Sequence, residues 1–229
     1  ITSIPYIRAV SVKFSFIHLM FLFKFNQFHL FLNKNNKMKL SLFGYGGHAK
    51  EVACQMGVDL TFFVDDKYVN KFTQPISKFD HNEFSIMIAV ENPIVRGRVV
   101  SQLHKDTEFF TFIHPTAQIM GSNVIIGEGS FIGANSILTE DIIVGKHSIL
   151  NRAVQIGHDS RVGNFFTSMP NSVLSGNVNF GDMGYIGTNS TVIEKKNITN
   201  NVIIGANGVV VRDIVESGTY VGVPVKKIK

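Results

Sequence analysis

The sequence predicts a two-part protein: a small α/β domain followed by a solenoid of short parallel strands. From Met120 onward, the chain divides into sixteen consecutive six-residue units with no insertion between them. A short fixed period of this kind is typical of a solenoid. Ahead of the repeat, residues 38–112 alternate apolar runs with segments of helical character, which favours a parallel α/β sheet.

Composition narrows the range of possible functions. The chain has 229 residues and one cysteine, Cys54, which excludes an internal disulfide framework and a cysteine-rich zinc site. A reducing, cytoplasmic environment suits such a chain. The net charge of +5 arises in residues 1–37, because basic and acidic residues balance at 17 each from Met38 onward. We therefore expect no nucleic-acid partner.

Residues 1–37 are predicted to be a disordered or non-native leader, with the folded protein beginning at Met38. Lys24, Asn26 and Gln27 interrupt the best apolar stretch, whereas a membrane span needs about 20 nearly uninterrupted apolar residues. The segment also has no small-residue cleavage site of the signal-peptide type. A membrane-associating segment remains the alternative, although we expect no membrane partner.

Residues 38–112 carry a nucleotide-binding pattern. An apolar strand at 39–43 runs into Gly44-x-Gly46-x-x-Ala49, where a helix begins. Glycines let the backbone approach phosphate, and the N–H groups of a helix start point at it. Asp65-Asp66 follows a second strand about 20 residues later, where an acidic ribose contact is expected. The domain has room for one mononucleotide; a tight turn that binds nothing is the alternative.

Residues 113–229 are predicted to form the solenoid, followed by a C-terminal tail. The first position of the unit is apolar in fifteen of the sixteen units, Ser168 being the exception. The fourth position is Asn, Asp or Gly in eleven units, as suits turns with left-handed backbone angles. With three units per coil, the first positions form stacked inward columns, so the sequence predicts a three-sided prism of parallel strands. One predicted column is Ile126, Val144, Val162, Phe180 and Ile198.

The repeat resembles the left-handed parallel β-helix of hexapeptide-repeat acyltransferases. The left hand is implied by the resemblance, since the usual crossover rule favours a right hand. The glycine-rich segment 43–50, the segment 63–66 and the tail 220–226 make the chain similar to sugar O- and N-acetyltransferases of the sialic-acid and bacillosamine type. The resemblance implies a Rossmann-like front domain, acetyl-CoA as co-substrate and a homotrimer, with no metal.

The same resemblance identifies a catalytic centre. A family histidine followed by an acid matches His158-Asp159, and a family asparagine one repeat earlier matches Asn151. An imidazole beside a carboxylate is suited to general-base catalysis. Glu140 lies eighteen residues before His158, one coil away, and is a second candidate for orienting the imidazole. Thr167 stands where relatives often have a second histidine.

Further site residues are carried over by resemblance. The nucleotide contacts would be Gly44, Gly46, Gly47, His48, Asp65 and Asp66. The groove for CoA between subunits would involve Thr167, Gly187, Gly205, Ala206, Gly222, Pro224 and Lys226. Four of the candidates have a structural alternative: His48 as a helix-start residue, His158 as a solvated turn residue, Asp159 as a turn former, and the tail lysine Lys226 as a solvated charge.

The sequence therefore favours N-acetylation of a nucleotide-linked amino sugar, with O-acetylation of a sialic acid or another hydroxyl as the alternative. Two interpretations from other functional classes remain open. A metalloenzyme of the carbonic-anhydrase kind would need His114, His147 and His158 to converge. A non-catalytic solenoid used for assembly would need neither the front domain nor the His158-Asp159 pair.

Overall fold

The computed structural model describes residues 38–229 and two short strands that precede them, β1 (Ile7–Arg8) and β2 (Leu30–Leu32). Both strands pair antiparallel with the solenoid, β1 with Ile125–Ile126 and β2 with Thr111–Ile113. The prediction for the remainder of the leader lies outside the described residues. Within the described part, no helix combines the length and apolarity needed to cross a bilayer.

The front domain is a parallel four-stranded α/β sheet in the order β5-β4-β3-β6. Its elements are β3 (Lys39–Phe43), α1 (Gly47–Met56), β4 (Thr61–Val64), β5 (Gln74–Pro75), β6 (Phe84–Ile88) and α2 (Pro93–Gln102), with 3-10 turns at Asp66–Tyr68 and Ile76–Lys78. Gly57 ends α1 in the left-handed conformation, and Asn92 caps α2 by accepting hydrogen bonds from two backbone N–H groups. These local signals explain where the helices begin and end.

The remaining chain is a left-handed parallel β-helix with three faces, as the repeat and the resemblance predict. We call the first face the docking face, because the front domain packs on it. It contains β7 (Thr111–Ile113), β10 (Phe131–Ile132), β13 (Ile149–Leu150), β16 (Thr167–Ser168), β19 (Tyr185–Ile186) and β22 (Val202–Ile204). The second face contains β8 (Gln118–Ile119), β11 (Ile137–Leu138), β14 (Gln155–Ile156), β17 (Val173–Leu174), β20 (Thr191–Val192) and β23 (Val209–Val210). The third face contains β9 (Ile125–Ile126), β12 (Ile143–Val144), β15 (Arg161–Val162), β18 (Asn179–Phe180) and β21 (Asn197–Ile198).

Strand register confirms the predicted column. Ile126, Val144, Val162, Phe180 and Ile198 pair in succession, each buried in the core of the solenoid. The exceptional Ser168 is also buried, and its hydroxyl lies 2.5 Å from the hydroxyl of Ser172. A polar side chain is tolerated inside the solenoid because it has a hydrogen-bonding partner.

The fourth position of each unit adopts a left-handed backbone at every corner from Gly129 to Asn207. Asn and Asp adopt this conformation at low cost, whereas large side chains do not. Nevertheless His147, Phe165 and Met183 have φ between 54° and 57°. These three residues stack in successive coils along one edge of the docking face. We call this edge the His147 corner. The other two edges are the Asn151 corner and the His158 corner, named after the residues in their turns.

The front domain packs on the docking face, not on an end of the solenoid. Phe112, Phe131 and Ile149, which point outward from this face, join the buried cluster formed by β3, β6 and α1. Beyond Thr167, the outward positions become progressively uncovered, since Tyr185 is half-buried and Ile203 is 43% exposed. The His158 corner is the edge opposite the docking face.

The C-terminal tail extends the docking-face sheet. Strand β24 (Gly218–Val221) adds in parallel to β22, and β25 (Lys226–Lys227) pairs antiparallel with β24. At the other end, β7 pairs with β10 and belongs to the solenoid. The predicted domain boundary at 112/113 therefore falls within β7.

Candidate functional site

A cavity of about 350 Å³ opens at the carboxyl ends of β3 and β4, beside the start of α2. Parallel α/β sheets bind ligands at this edge. Gly44, Gly46 and Asp65 line the cavity, as do Tyr45 and Tyr68. A side chain at Gly44 would approach the Ala89 carbonyl to 3.1 Å at a φ of +113°, so the turn requires glycine here.

The other predicted nucleotide contacts differ in their surroundings. A Cβ atom at Gly46 or Gly47 would meet nothing within 4 Å, so the backbone is open to close approach by a ligand. Asp66 accepts a hydrogen bond from the Ser77 backbone N–H, and the hydrogen bonds to Ser77 hold the pKa of its carboxyl below the usual range. Asp66 thus stabilises the following turn, whereas Asp65 lines the cavity and lies 3.2 Å from the Arg98 guanidinium.

His48 faces the domain interface. Its side chain is 9% exposed and lies edge-on to Phe131 of the docking face. Nδ1 is 3.3 Å from Glu91 Oε1, but neither ring nitrogen forms a hydrogen bond within the described residues. Burial, reinforced by the charges of Arg96 and Arg152, lowers its pKa to about 4. The imidazole is therefore neutral near pH 7, and it does not line the cavity at the ends of β3 and β4.

Arg96 joins the two domains from α2. Its fully buried guanidinium donates to the carbonyls of Val90 and Glu91 in the front domain and to those of the His147 corner. Burial lowers its pKa to about 9, so the charge persists at neutral pH. Carbonyl oxygens solvate this charge in place of water, as a buried cation requires.

Thr167 belongs to the same junction. It is fully buried; its hydroxyl donates to the Glu91 carbonyl at 2.8 Å and accepts from Arg96 Nη2 at 2.9 Å. With both roles of the hydroxyl satisfied inside the protein, direct contact with CoA is disfavoured. The Thr167 hydroxyl therefore holds the two domains together, and its contact with CoA remains a prediction.

His147, the turn histidine without a following acid, also has an interdomain role. Its ring stacks on Phe165 at 5.1 Å and meets Phe109 edge-on at 4.6 Å. Burial lowers its pKa to about 4. His147 and His158 occupy different corners, and in the described part of the chain no three His, Cys, Asp or Glu side chains cluster as a metal site would require.

The His158 corner presents an imidazole and a carboxylate to solvent. His158 Nδ1 lies 2.7 Å from Asp159 Oδ2, and both side chains are more than half exposed. Asp159 has a φ of +58°, so this residue serves the backbone turn and the imidazole together. The ring leans over Gly176 of the next coil, where a Cβ atom would come within 2.6 Å of His158 Nε2.

Glu140 is linked to this pair through the backbone. Its carbonyl accepts from the Asp159 N–H at 3.0 Å. Its carboxylate leans the other way, over Gly121 of the preceding coil, where a Cβ atom would lie 2.5 Å from Oε2. The structure therefore brings Asp159, and not the Glu140 carboxylate, into contact with the imidazole.

The predicted CoA residues gather along the Asn151 corner and the tail. Gly187 packs on Ala206 of the next coil, where a Cβ atom would come within 2.5 Å of the Ala206 N atom. Gly205 lies against Val221, and the Gly222 carbonyl accepts from the Val209 N–H. Pro224 follows a cis peptide bond, and Lys226 lies exposed in β25.

Asn151 itself is buried at this corner, and its side-chain oxygen accepts from the Arg152 N–H at 2.8 Å. In one chain, Asn151 and His158 therefore lie on different edges of the prism.

A second cavity, of about 370 Å³, lies where the front domain stops covering the docking face. Its lining residues are Glu91, Asn92, Pro93, Ile94, Met183, Tyr185, Asn201 and Ile203. Sequence patterns alone indicate neither this cavity nor the roles of Glu91 and Arg96. One signal was present: Glu91 follows the apolar run 84–90 at the sheet edge where ligands bind.

Solved structures provide independent comparisons, although no protein-family model matches the chain. PerB from Caulobacter crescentus, in complex with CoA and GDP-perosamine, is 27% identical, with a TM-score of 0.73 over 83% of this chain and 97% of that one. WeeI from Acinetobacter baumannii is 27% identical, with a TM-score of 0.74 over 83% of this chain and 100% of that one.

The acetyltransferase domain of PglB from Neisseria gonorrhoeae, in complex with acetyl coenzyme A, is 28% identical, with a TM-score of 0.63 over 84% of this chain and 100% of that one. The C. crescentus GDP-perosamine N-acetyltransferase has also been solved with one histidine replaced by alanine or by asparagine. In fold and repeat, the chain is a structural relative of the hexapeptide-repeat N-acetyltransferases of nucleotide-linked amino sugars.

Proposed function

We propose that the chain transfers acetyl from acetyl-CoA to the amino group of a nucleotide-linked amino sugar. The observation that carries this proposal is the His158–Asp159 contact at an exposed corner, in a fold whose solved relatives bind CoA and GDP-perosamine. The cavity at the ends of β3 and β4 supplies the place for the nucleotide. Because acetyl-CoA is the donor, the reaction belongs in the cytoplasm.

The proposed chemistry assigns one role to each member of the pair. Asp159 accepts the Nδ1–H of His158, which leaves a lone pair on Nε2. Nε2 removes a proton from the amino group as the amine nitrogen attacks the thioester carbonyl carbon. Collapse of the tetrahedral intermediate breaks the C–S bond, and the proton passes to the departing CoA thiolate.

The positions of the nucleotide cavity and of His158 support a homotrimer in which each active site is shared between two subunits. The nucleotide cavity belongs to the domain on the docking face, whereas His158 lies on the opposite edge of the prism. A sugar bound in one chain's cavity therefore meets the His158 corner of another copy. Acetyl-CoA would lie in the intervening groove, along the Asn151 corner and the tail of one subunit.

Acetyl transfer over a panel of acceptors tests the proposal. Release of the CoA thiol would be followed with GDP-, UDP- and dTDP-linked 4-amino-4,6-dideoxy sugars, and with sialic acid as the hydroxyl acceptor. We expect turnover with at least one nucleotide-linked amine and none with sialic acid. Turnover of sialic acid alone would establish O-acetylation, and no turnover with any acceptor would contradict the proposal.

A further inference from the structure

We propose that the second cavity is the sugar subsite and that Glu91 selects an amine over a hydroxyl by binding the sugar ammonium group, which then loses one proton to solvent and attacks acetyl-CoA as the neutral amine. The cavity measures about 370 Å³ and lies beside the nucleotide cavity, with the start of α2 as the wall between them. Consecutive residues separate the two cavities: residues 91–94 line the second cavity, whereas the flanking Val90 and Val95 line the nucleotide cavity. A sugar attached to a nucleotide diphosphate would be led from one cavity into the other.

Glu91 is an acid without a cationic partner in this cavity. Its side chain is 36% exposed, and its carboxylate accepts no hydrogen bond from the described residues. The nearest basic group is His48 Nδ1 at 3.3 Å, on an imidazole that is neutral near pH 7. The guanidinium of Arg96 is occupied by carbonyl oxygens and Thr167. Desolvation raises the pKa of Glu91, so a bound cation would relieve an unfavourable burial.

The remaining walls suit a deoxy sugar. Met183, Ile203 and Pro93 supply apolar surface, which matches a methyl group in place of a hydroxymethyl group. The Tyr185 phenol faces the same space, and both burial and the nearby Glu91 charge raise its pKa. Its hydroxyl forms no hydrogen bond with any described residue, so it is available to a sugar hydroxyl. The cavity therefore presents one carboxylate, one phenol and an apolar surface. This lining fits an amino-deoxy sugar better than it fits the anionic phosphates of CoA.

This inference rests on the proposed function for the identity of the ligand, but it is tested by binding alone. Dissociation constants would be measured at pH 7, without acetyl-CoA, for GDP-perosamine and its 4-hydroxy counterpart GDP-rhamnose, and for the corresponding UDP-linked pair. The proteins are the wild type, Glu91→Gln, Tyr185→Phe and the control Glu83→Gln. Glu83 carries the same charge at the amino end of β6, the opposite edge of the sheet.

We expect the wild type to bind one amino sugar about tenfold or more tightly than its hydroxyl counterpart, and Glu91→Gln to reduce that preference to about twofold. Glu83→Gln should keep the full preference, and Tyr185→Phe should weaken both members of the pair by about threefold. Affinity for free GDP or UDP should not change in Glu91→Gln.

A preserved amine preference in Glu91→Gln, or no preference in the wild type, would overturn the inference. So would an equal loss of affinity for free nucleotide. The binding assay does not depend on acetyl transfer. A protein that binds the amine preferentially but shows no acetyl transfer in the separate activity assay would contradict the proposed function and support this subsite.

Discussion

Two neighbours of the His158 imidazole hold it in different ways. The Asp159 carboxylate accepts a hydrogen bond from His158 Nδ1–H, and Gly176 supplies the flat surface over which the ring lies. A carboxylate fixes the tautomer that leaves Nε2 free to accept a proton. Absence of a side chain at Gly176 fixes where the ring can lie. Each neighbour can be changed without altering the imidazole.

Replacing Asp159 with Asn should lower kcat about tenfold, a modest loss because the pair is exposed and partly screened by solvent. Glu140→Gln is the matched control, because that carboxylate leans away from the ring. We expect its kcat to stay within about twofold of the wild type. Steady-state rates across pH 6–9 check both variants. A larger loss in Glu140→Gln than in Asp159→Asn would show that the wrong carboxylate has been assigned.

Gly176→Ala should displace the imidazole without unfolding the coil. The three heavy atoms nearest to the added methyl all belong to the His158 ring, the closest at 2.6 Å. We expect kcat to fall about tenfold or more, with the melting temperature nearly unchanged. Glu194→Ala, two coils further along the same corner, is the control. An active Gly176→Ala protein would mean that the ring position in the structure is not the working one.

At the scale of elements, the front domain is attached to the docking face by buried polar groups as well as by apolar packing. His48 and His147 are both neutral at this interface, with pKa values lowered to about 4. In the unfolded chain each would take up its proton near pH 6.5. The unfolded state therefore binds more protons between these values, and stability decreases as the pH falls from about 6.5 to about 4.

The free energy of unfolding, measured by denaturant titration at pH 7 and pH 4.5, should fall by up to about 3 kcal/mol for each of these histidines. His147→Asn removes one titrating group, and asparagine tolerates the left-handed backbone at this position. The variant should lose less stability between the two pH values than the wild type. An identical loss would show that His147 does not titrate on unfolding as its burial implies.

The sequence alone predicts the solenoid well, because each unit repeats the same physical requirement. An apolar residue at Ile126 or Val144 must point inward, and Asn135 or Asn207 must turn the corner. His158 and Asp159 lie side by side in the chain, so their contact is also local. The interactions at the docking face are not local. Arg96 forms a hydrogen bond with Thr167 across 71 positions of sequence, and its charge acts on His48 across 48 positions. No local pattern specifies such interactions. This is why the sequence does not predict that His48 and Thr167 lie at the interface.

At the scale of the whole molecule, one copy does not bring its own nucleotide cavity to its own His158 corner. Two inactive variants should therefore complement each other. His158→Ala keeps the cavity, and Gly46→Phe fills the cavity from an open position while keeping His158. Purified as mixed trimers, they should recover about a third of wild-type activity, because one of the three shared sites in each mixed trimer combines two intact halves.

The complementation would be measured on mixed oligomers purified through two different tags. Oligomers assembled from differently tagged copies of His158→Ala provide the control and should stay inactive. Mixed oligomers with no recovered activity would contradict a site shared between subunits.

The central claim is that His158 is the base for acetyl transfer. Its most direct test is the rate of CoA thiol release by His158→Ala, with acetyl-CoA and the amino-sugar nucleotide that the wild type accepts. We predict a loss of about a thousandfold in kcat with the melting temperature unchanged, since the side chain is exposed. A rate within tenfold of the wild type would contradict the account.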